Sequence, residues 1–128
     1  EICENVRFLG KQDAVEEILS VSDLFIMPSE SESFGLAALE AMACKVPVIT
    51  SNAGGLPELV INGVTGFMDN VGDIDAMAAH AIYILKDDQQ LDVFKEGALS
   101  RAKEFELSLI LPVYEQYYMD VMASASRI

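Results

Sequence analysis

The stretch Ser22 to Glu40, S-D-L-F-I-M-P-S-E-S-E-S-F-G-L-A-A-L-E, decides the fold. Asp23 to Pro28 is a short apolar run of strand type, Ser29 to Ser33 is a polar turn, and the residues around Gly35 open a helix. A strand that feeds a helix through a glycine-bearing turn belongs to a parallel sheet, because parallel neighbours need a helical crossover. Three more apolar runs have the same character: Val6 to Leu9, Pro47 to Ser51 and Gly66 to Asp69. Helical patterns fill most of the spaces between them. The expected fold class is α/β, a Rossmann-like parallel sheet with helices on both faces.

Helix signals extend this reading in both directions. Asp13 begins D-A-V-E, so an Asp N-cap with Glu16 three residues on predicts a helix reaching Ser20. Asp73 is placed to cap a longer helix with Met77, Ala78, Ala81, Ile82 and Leu85 at helical spacing. Two further helices, about Gln89 to Phe105 and Ser108 to Ser124, follow with no strand between them, so the sheet ends near residue 70. Val113, Tyr114, Tyr117, Tyr118, Val121 and Met122 give the last helix a wide apolar stripe that must pack on something. Residues 1–105 are expected to form the sheet domain, and 106–128 a helix that packs on it or toward a preceding domain.

Glu1 replaces a start methionine and Val6 to Gly10 already reads as a buried strand, so the chain is expected to begin mid-protein. In the doubly wound order 3-2-1-4-5-6, Val6 to Leu9 is strand 3 and Asp23 to Pro28 strand 4, with their intervening neighbours missing. Direct pairing of these two strands, or recruitment of a strand from another copy, is expected. Self-association through exposed sheet edges is the corresponding partner expectation.

At 128 residues with 52% apolar content, the chain supports one domain with a modest core. No apolar run approaches the roughly 20 residues that span a bilayer, and nothing resembles a signal peptide. The net charge of −13, with eight basic residues spread thinly, argues against nucleic acid as a partner. Cys3 and Cys44 lie 41 positions apart without a C-x-x-C partner or a nearby His, and read as reduced thiols of a cytoplasmic protein. No metal site is expected. His80, the only histidine, reads as a surface or packing residue, and the six methionines as core filling.

The chemistry is expected at the turn after the Asp23–Pro28 strand, since open parallel sheets bind ligands at the carboxyl ends of their strands. Gly35 would let a ligand approach the backbone closely. Ser33 and the N–H groups around Phe34, Gly35 and Leu36 could hold a diphosphate without any basic side chain. Glu32 and Glu40 are eight residues apart, just over two helical turns, so they cannot form one tight acid/base pair. Facing one crevice, each could accept hydrogen bonds from sugar hydroxyls, Glu32 from a hexose and Glu40 from a ribose. On the residues alone, Glu32 could equally favour the helix dipole and Glu40 face solvent. A second glycine loop, Asn52 to Glu58 (N-A-G-G-L-P-E), falls on the same sheet edge, so two loops converge. Gly63 to Gly66 reads as a simple turn.

In order along the chain, S-D-L-F-I-M-P-S-E-S-E-S-F-G-L-A-A-L-E-A-M-A-C, V-P-V-I, G-G-L-P-E and N-G-V-T-G-F resemble the C-terminal domain of glycosyltransferase family 4. The resemblance spans nearly the whole chain. It implies a GT-B architecture of two Rossmann-like domains, with this chain a partial C-terminal, nucleotide-sugar-binding domain. The family's E-x7-E motif falls on Glu32 and Glu40. By that match Glu40 would bind the nucleotide ribose and Glu32 would be the catalytic position on the donor sugar. Ser33, Phe34, Gly35 and Leu36 would supply contacts around the sugar and diphosphate, and Lys11 and Gln12 would lie near the nucleobase.

The family further implies retaining, metal-independent transfer without cofactor or protein nucleophile, the departing phosphate assisting acceptor attack. G-K-Q-D, S-E-S-E-S-F-G-L and Y-E-Q-Y-Y are most similar to the branch that joins N-acetylglucosamine to L-malate in bacillithiol synthesis. That similarity implies UDP-N-acetylglucosamine as donor and L-malate as acceptor. Two alternatives are a family 4 transferase of cell-surface glycan synthesis and a noncatalytic Rossmann-like interaction domain whose glycine loops are only turns.

The sequence departs from the family at Lys45, where glycine is usual just past the Cys44 helix end. A left-handed backbone there would be strained. The Arg and Lys that relatives use on the diphosphate are absent, and Lys11 is no substitute, so the fragment alone is expected to be inactive.

Overall fold

The computed structural model describes residues 2–125. A 3-10 turn (Ile2–Asn5) leads through an irregular segment to α1 (Val15–Ser20), β1 (Phe25–Met27) and α2 (Leu36–Ala43). Then come β2 (Val48–Ser51), α3 (Leu56–Leu59), β3 (Gly66–Asp69), α4 (Ile74–Ile84), α5 (Asp88–Lys103) and α6 (Leu107–Ala125). The strands form one parallel sheet in the order β1-β2-β3, with Ile26 beside Ile49 and Ile49 beside Phe67.

Successive side chains of β2 point to opposite faces. Val48 joins a core with Ala38, Ala41 and Met42 of α2, Leu56 and Leu59 of α3, and Ala98 and Ala102 of α5. Ile49 joins Met77 and Ile84 of α4 and Phe94 of α5. Helices therefore cover both faces, and central β2 is buried along its whole length. A strand buried on both faces needs no polar alternation, which is why V-I-T-S lacks it.

Helix ends follow local chemistry at two places and depart from it at a third. Asp73 caps α4 by accepting from Ala76 N at 3.1 Å, and Asp87 caps α5 by accepting from Gln90 N at 2.8 Å. The capping box read at Asp13 does not form. α1 starts with Ala14 at the N-cap and no side-chain cap, so Asp13 stands one residue too early. After α2, Lys45 adopts φ 65, the left-handed conformation that glycine would hold without strain. Its ammonium reaches Glu96 Oε1 at 2.5 Å, and that hydrogen bond raises the Lys45 pKa above its ordinary value.

One segment differs from expectation. Val6 to Leu9 is not a strand and makes no direct pairing with β1; Phe8 is 97% exposed. The reason is topological. Strand 3 lies three places from strand 4 in the doubly wound order, and the three-residue β1 offers a short edge. Of the two placements expected for α6, packing on the sheet layer is not seen, since residues 111–124 are all exposed. Both faces of the sheet are already occupied, one by α2, α3 and the later part of α5 and the other by α4 and the earlier part of α5.

Arg101 is an anchor that no sequence pattern announced. Its Nη2 donates to Glu58 O at 2.6 Å and its Nε to Leu59 O at 3.2 Å, while Nη1 pairs with Glu104. The guanidinium also stands 4.9 Å from the Phe105 ring centroid. Glu58 and Leu59 end α3, whose four residues are too few to satisfy their own last carbonyls.

Two stability series test this account by urea unfolding. Arg101→Ala is expected to cost about 2–4 kcal/mol, from hydrogen bonds to a charged group worth about 1.5–3 kcal/mol each. Arg101→Lys is expected to recover less than half, because one ammonium cannot reproduce the fork. At Lys45, the expected order of midpoints is glycine above lysine above alanine, since alanine keeps the strain and loses Glu96. The Glu96 contribution is complete below the ordinary lysine pKa and fades as pH rises through the raised value, so lysine's advantage over alanine should shrink there.

Candidate functional site

The turn from Ser29 to Gly35, at the carboxyl end of β1, rests on the loop that follows β2. Ser51 Oγ donates to Ser29 O, and Gly55 N donates to Ser33 O at 2.9 Å. The contact is backbone on backbone. A Cβ on Gly54 would stand 1.4 Å from Glu32 O, and one on Gly55 2.6 Å from Ser33 O. The two glycine loops do converge, and the glycines are needed for the loops' own close approach. Gly35 is buried with φ 96, and a Cβ there would meet Leu56 Cδ2 at 2.4 Å. Its bare Cα makes room for Leu56.

The motif residues take separate positions. Glu32 is half-buried and its Oε1 accepts from Ser33 N at 3.0 Å, so that N–H, expected to face a phosphate, is engaged by the neighbouring carboxylate. The Phe34 ring packs edge-on against Phe105, 5.7 Å between centroids. Leu36 is 65% exposed at the start of α2. That helix has Gly35 as its N-cap and no side-chain cap, so no side chain of the cap residue competes for its first-turn amides.

Glu40 lines a groove of about 420 Å³ together with Asp13, Val15, Glu16, Leu19, Ala43 and Cys44. Three carboxylates thus share a cleft between α1 and α2 with an apolar wall. Glu32 is not among the residues that line this groove. Asp13 and Glu16 line the same groove, although the sequence marked them only as helix-capping residues. Lys11 and Gln12 are exposed in the turn just before Asp13, where Gln12 Nε2 donates to Leu9 O at 2.6 Å.

Among the described residues no group of three His, Cys, Asp or Glu could hold a metal ion. No described helix is long and apolar enough to cross a membrane. Cys44 is a free thiol; the Cys3 side chain lies outside the described residues.

Residues 1–101 match the family described as glycosyl transferases group 1. N-acetyl-alpha-D-glucosaminyl L-malate synthase of Bacillus anthracis is 44% identical over 120 residues, which are 93% of this chain and 32% of that protein. O-antigen chain mannosyltransferase B of Escherichia coli is 37% identical over 102 residues, 78% of this chain and 26% of that protein. Sucrose-phosphate synthase from Thermosynechococcus elongatus superposes with a TM-score of 0.84 at 32% identity, covering 94% of this chain and 31% of the other. Anabaena Alr3699/HepE in complex with UDP-glucose gives 0.78 at 30% identity, covering 93% and 32%. The chain spans about a third or less of the length of the curated relatives it matches. The fold is that of a GT-B glycosyltransferase C-terminal domain, and with the family match running from the first residue through most of α5, the chain belongs to the glycosyl transferases group 1 family.

Proposed function

We propose that this chain is the donor-binding part of a retaining glycosyltransferase that transfers N-acetylglucosamine from UDP-N-acetylglucosamine to a small acceptor such as L-malate. The observation that carries the reading is that Glu40 lines the groove between α1 and α2, while Glu32 stands in the turn before α2, whose N-terminus no side chain caps. In the groove, Glu40 accepts hydrogen bonds from the ribose hydroxyls, with Asp13 and Glu16 as neighbouring acceptors and Val15 and Leu19 against the nucleoside. The α2 amides and helix dipole face the diphosphate, so an acidic domain holds an anion without a basic cluster. Glu32 then lies at the sugar end. Rotation of its carboxylate away from Ser33 N frees that N–H for a phosphate oxygen and turns the carboxylate toward the sugar hydroxyls.

Support for the donor comes from the UDP-glucose complex of Alr3699/HepE, and for the acceptor from the similarity to the L-malate synthase. No cofactor or metal is part of the proposal, a cytoplasmic site of action is, and the chain by itself is taken to be inactive. The similarity to the O-antigen mannosyltransferase favours a second reading, transfer to a cell-surface glycan.

Calorimetric titration of the full-length protein with UDP and UDP-N-acetylglucosamine, followed by product analysis with L-malate, separates these. Glu40→Ala is expected to weaken UDP about tenfold or more, or about 1.4 kcal/mol. Glu32→Ala is expected to leave UDP binding within about twofold and to lower turnover by about a hundredfold, the scale of a lost transition-state contact. Binding of UDP-N-acetylglucosamine without product from L-malate would favour the glycan reading. Absence of any nucleotide binding would sink both.

A further inference from the structure

The end of β3 carries a side-chain pair that neither subsite uses. The Asp69 side chain is 7% exposed, and its Oδ2 lies 2.9 Å from His80 Nδ1 on α4. A carboxylate only accepts, so Nδ1 carries the proton and donates. The imidazole is also stacked on Phe67, 4.0 Å between centroids and 6° between planes. Phe67 and Asp69 are two apart on β3 and share one face, so a single ring is gripped twice by the same strand. His80 is thus more than the surface or packing residue read from sequence. It is the side chain that satisfies a buried carboxylate, whose burial without a partner is costly.

Asp69 is also the residue through which β3 holds the loop under the Glu32 turn. Its backbone oxygen accepts from Asn52 N at 2.6 Å. Asn52 opens the loop in which Gly54 and Gly55 lie against Glu32 O and Ser33 O. That contact has no slack, since even a Cβ on Gly54 would fall 1.4 Å from Glu32 O. A displacement of Asp69 therefore passes through Asn52 to the Glu32 turn. The Glu40 groove, with walls from α1 and α2, lies outside this linkage.

We propose that His80 and Asp69 are positioning residues that hold the Asn52–Gly55 loop, and through it the Glu32 turn, at the height the donor sugar requires. This rests on the reading of the Glu32 turn as the sugar subsite. It implies that losing the pair harms sugar recognition and spares nucleotide recognition.

The test uses the full-length protein and two readouts, amide hydrogen exchange and affinities for UDP and UDP-N-acetylglucosamine. His80→Phe keeps an aromatic ring for Phe67 and removes the donor. The expected result is at least tenfold faster exchange at Asn52 and Gly55 with α5 unchanged, and at least fivefold weaker UDP-N-acetylglucosamine with UDP within twofold. His80→Asn, whose amide nitrogen stands near the Nδ1 position, is expected to restore both. If His80→Phe alone does not fold, the double variant with Asp69→Asn strands no buried charge and is read in the same way. Unchanged exchange at the loop, faster exchange spread evenly over α5, or parallel loss of UDP and UDP-N-acetylglucosamine would overturn the proposal. Should the unsubstituted protein bind neither nucleotide, the donor reading fails, while the exchange data still decide whether His80 controls the loop.

Discussion

The backbone of Glu32 and the backbone of Gly54 approach so closely that no side chain fits between them, and the rest of the site depends on that contact. Gly54 takes φ 55 to make it, and Gly55 N closes it by donating to Ser33 O. Two loops that would be mobile alone thereby become one layer over the carboxyl ends of β1 and β2. The layer needs fixed supports. β2 supplies one, being buried throughout, and α3 supplies another, because it starts directly after Gly55 and its far end is held by Arg101.

α5 is the element that ties these supports together. Arg101 reaches the last carbonyls of α3, Lys95 pairs with Asp23 at the entrance to β1, and Glu96 pairs with Lys45 at the end of α2. Gly97 lets the same helix lie on the loop before β3, where a Cβ would stand 2.2 Å from Val64 O. Lys45, Lys95 and Arg101 are thereby engaged by Glu96, Asp23 and Glu104 in holding the scaffold together.

What could be read from sequence was what neighbouring residues settle among themselves. Gly66 to Asp69 is the strand expected, because an apolar run bounded by turn residues leaves little choice of ends. Asp73 caps α4 because a cap acts three residues away. Asp13 misled, since D-A-V-E carries the right letters one residue before the helix begins. The apolar stripe of α6 and the run Val6 to Leu9 show the limit of periodicity, which marks a face suited to burial without naming what covers it. Arg101 lies 42 residues from one carbonyl it holds and 43 from the other, a separation for which local sequence has no signal. Gly54 and Gly55 were legible as a turn, but the reason for glycine lies in Glu32 and Ser33, on another strand's loop.

The separation of Glu40 from Glu32 follows from where each stands. Glu40 lies inside α2, whose Ala38, Ala41 and Met42 are fully buried against the sheet, so its backbone position is fixed by core packing. Glu32 lies in a turn whose position depends on the loop after β2, and that loop on the end of β3. A change in the core that tilts α2 would move the Glu40 groove, whereas a change at Asn52 or Asp69 would move the Glu32 turn and leave the groove in place. The eight-residue spacing thus joins a helix-borne carboxylate to a loop-borne one, and the two positions rest on different parts of the fold.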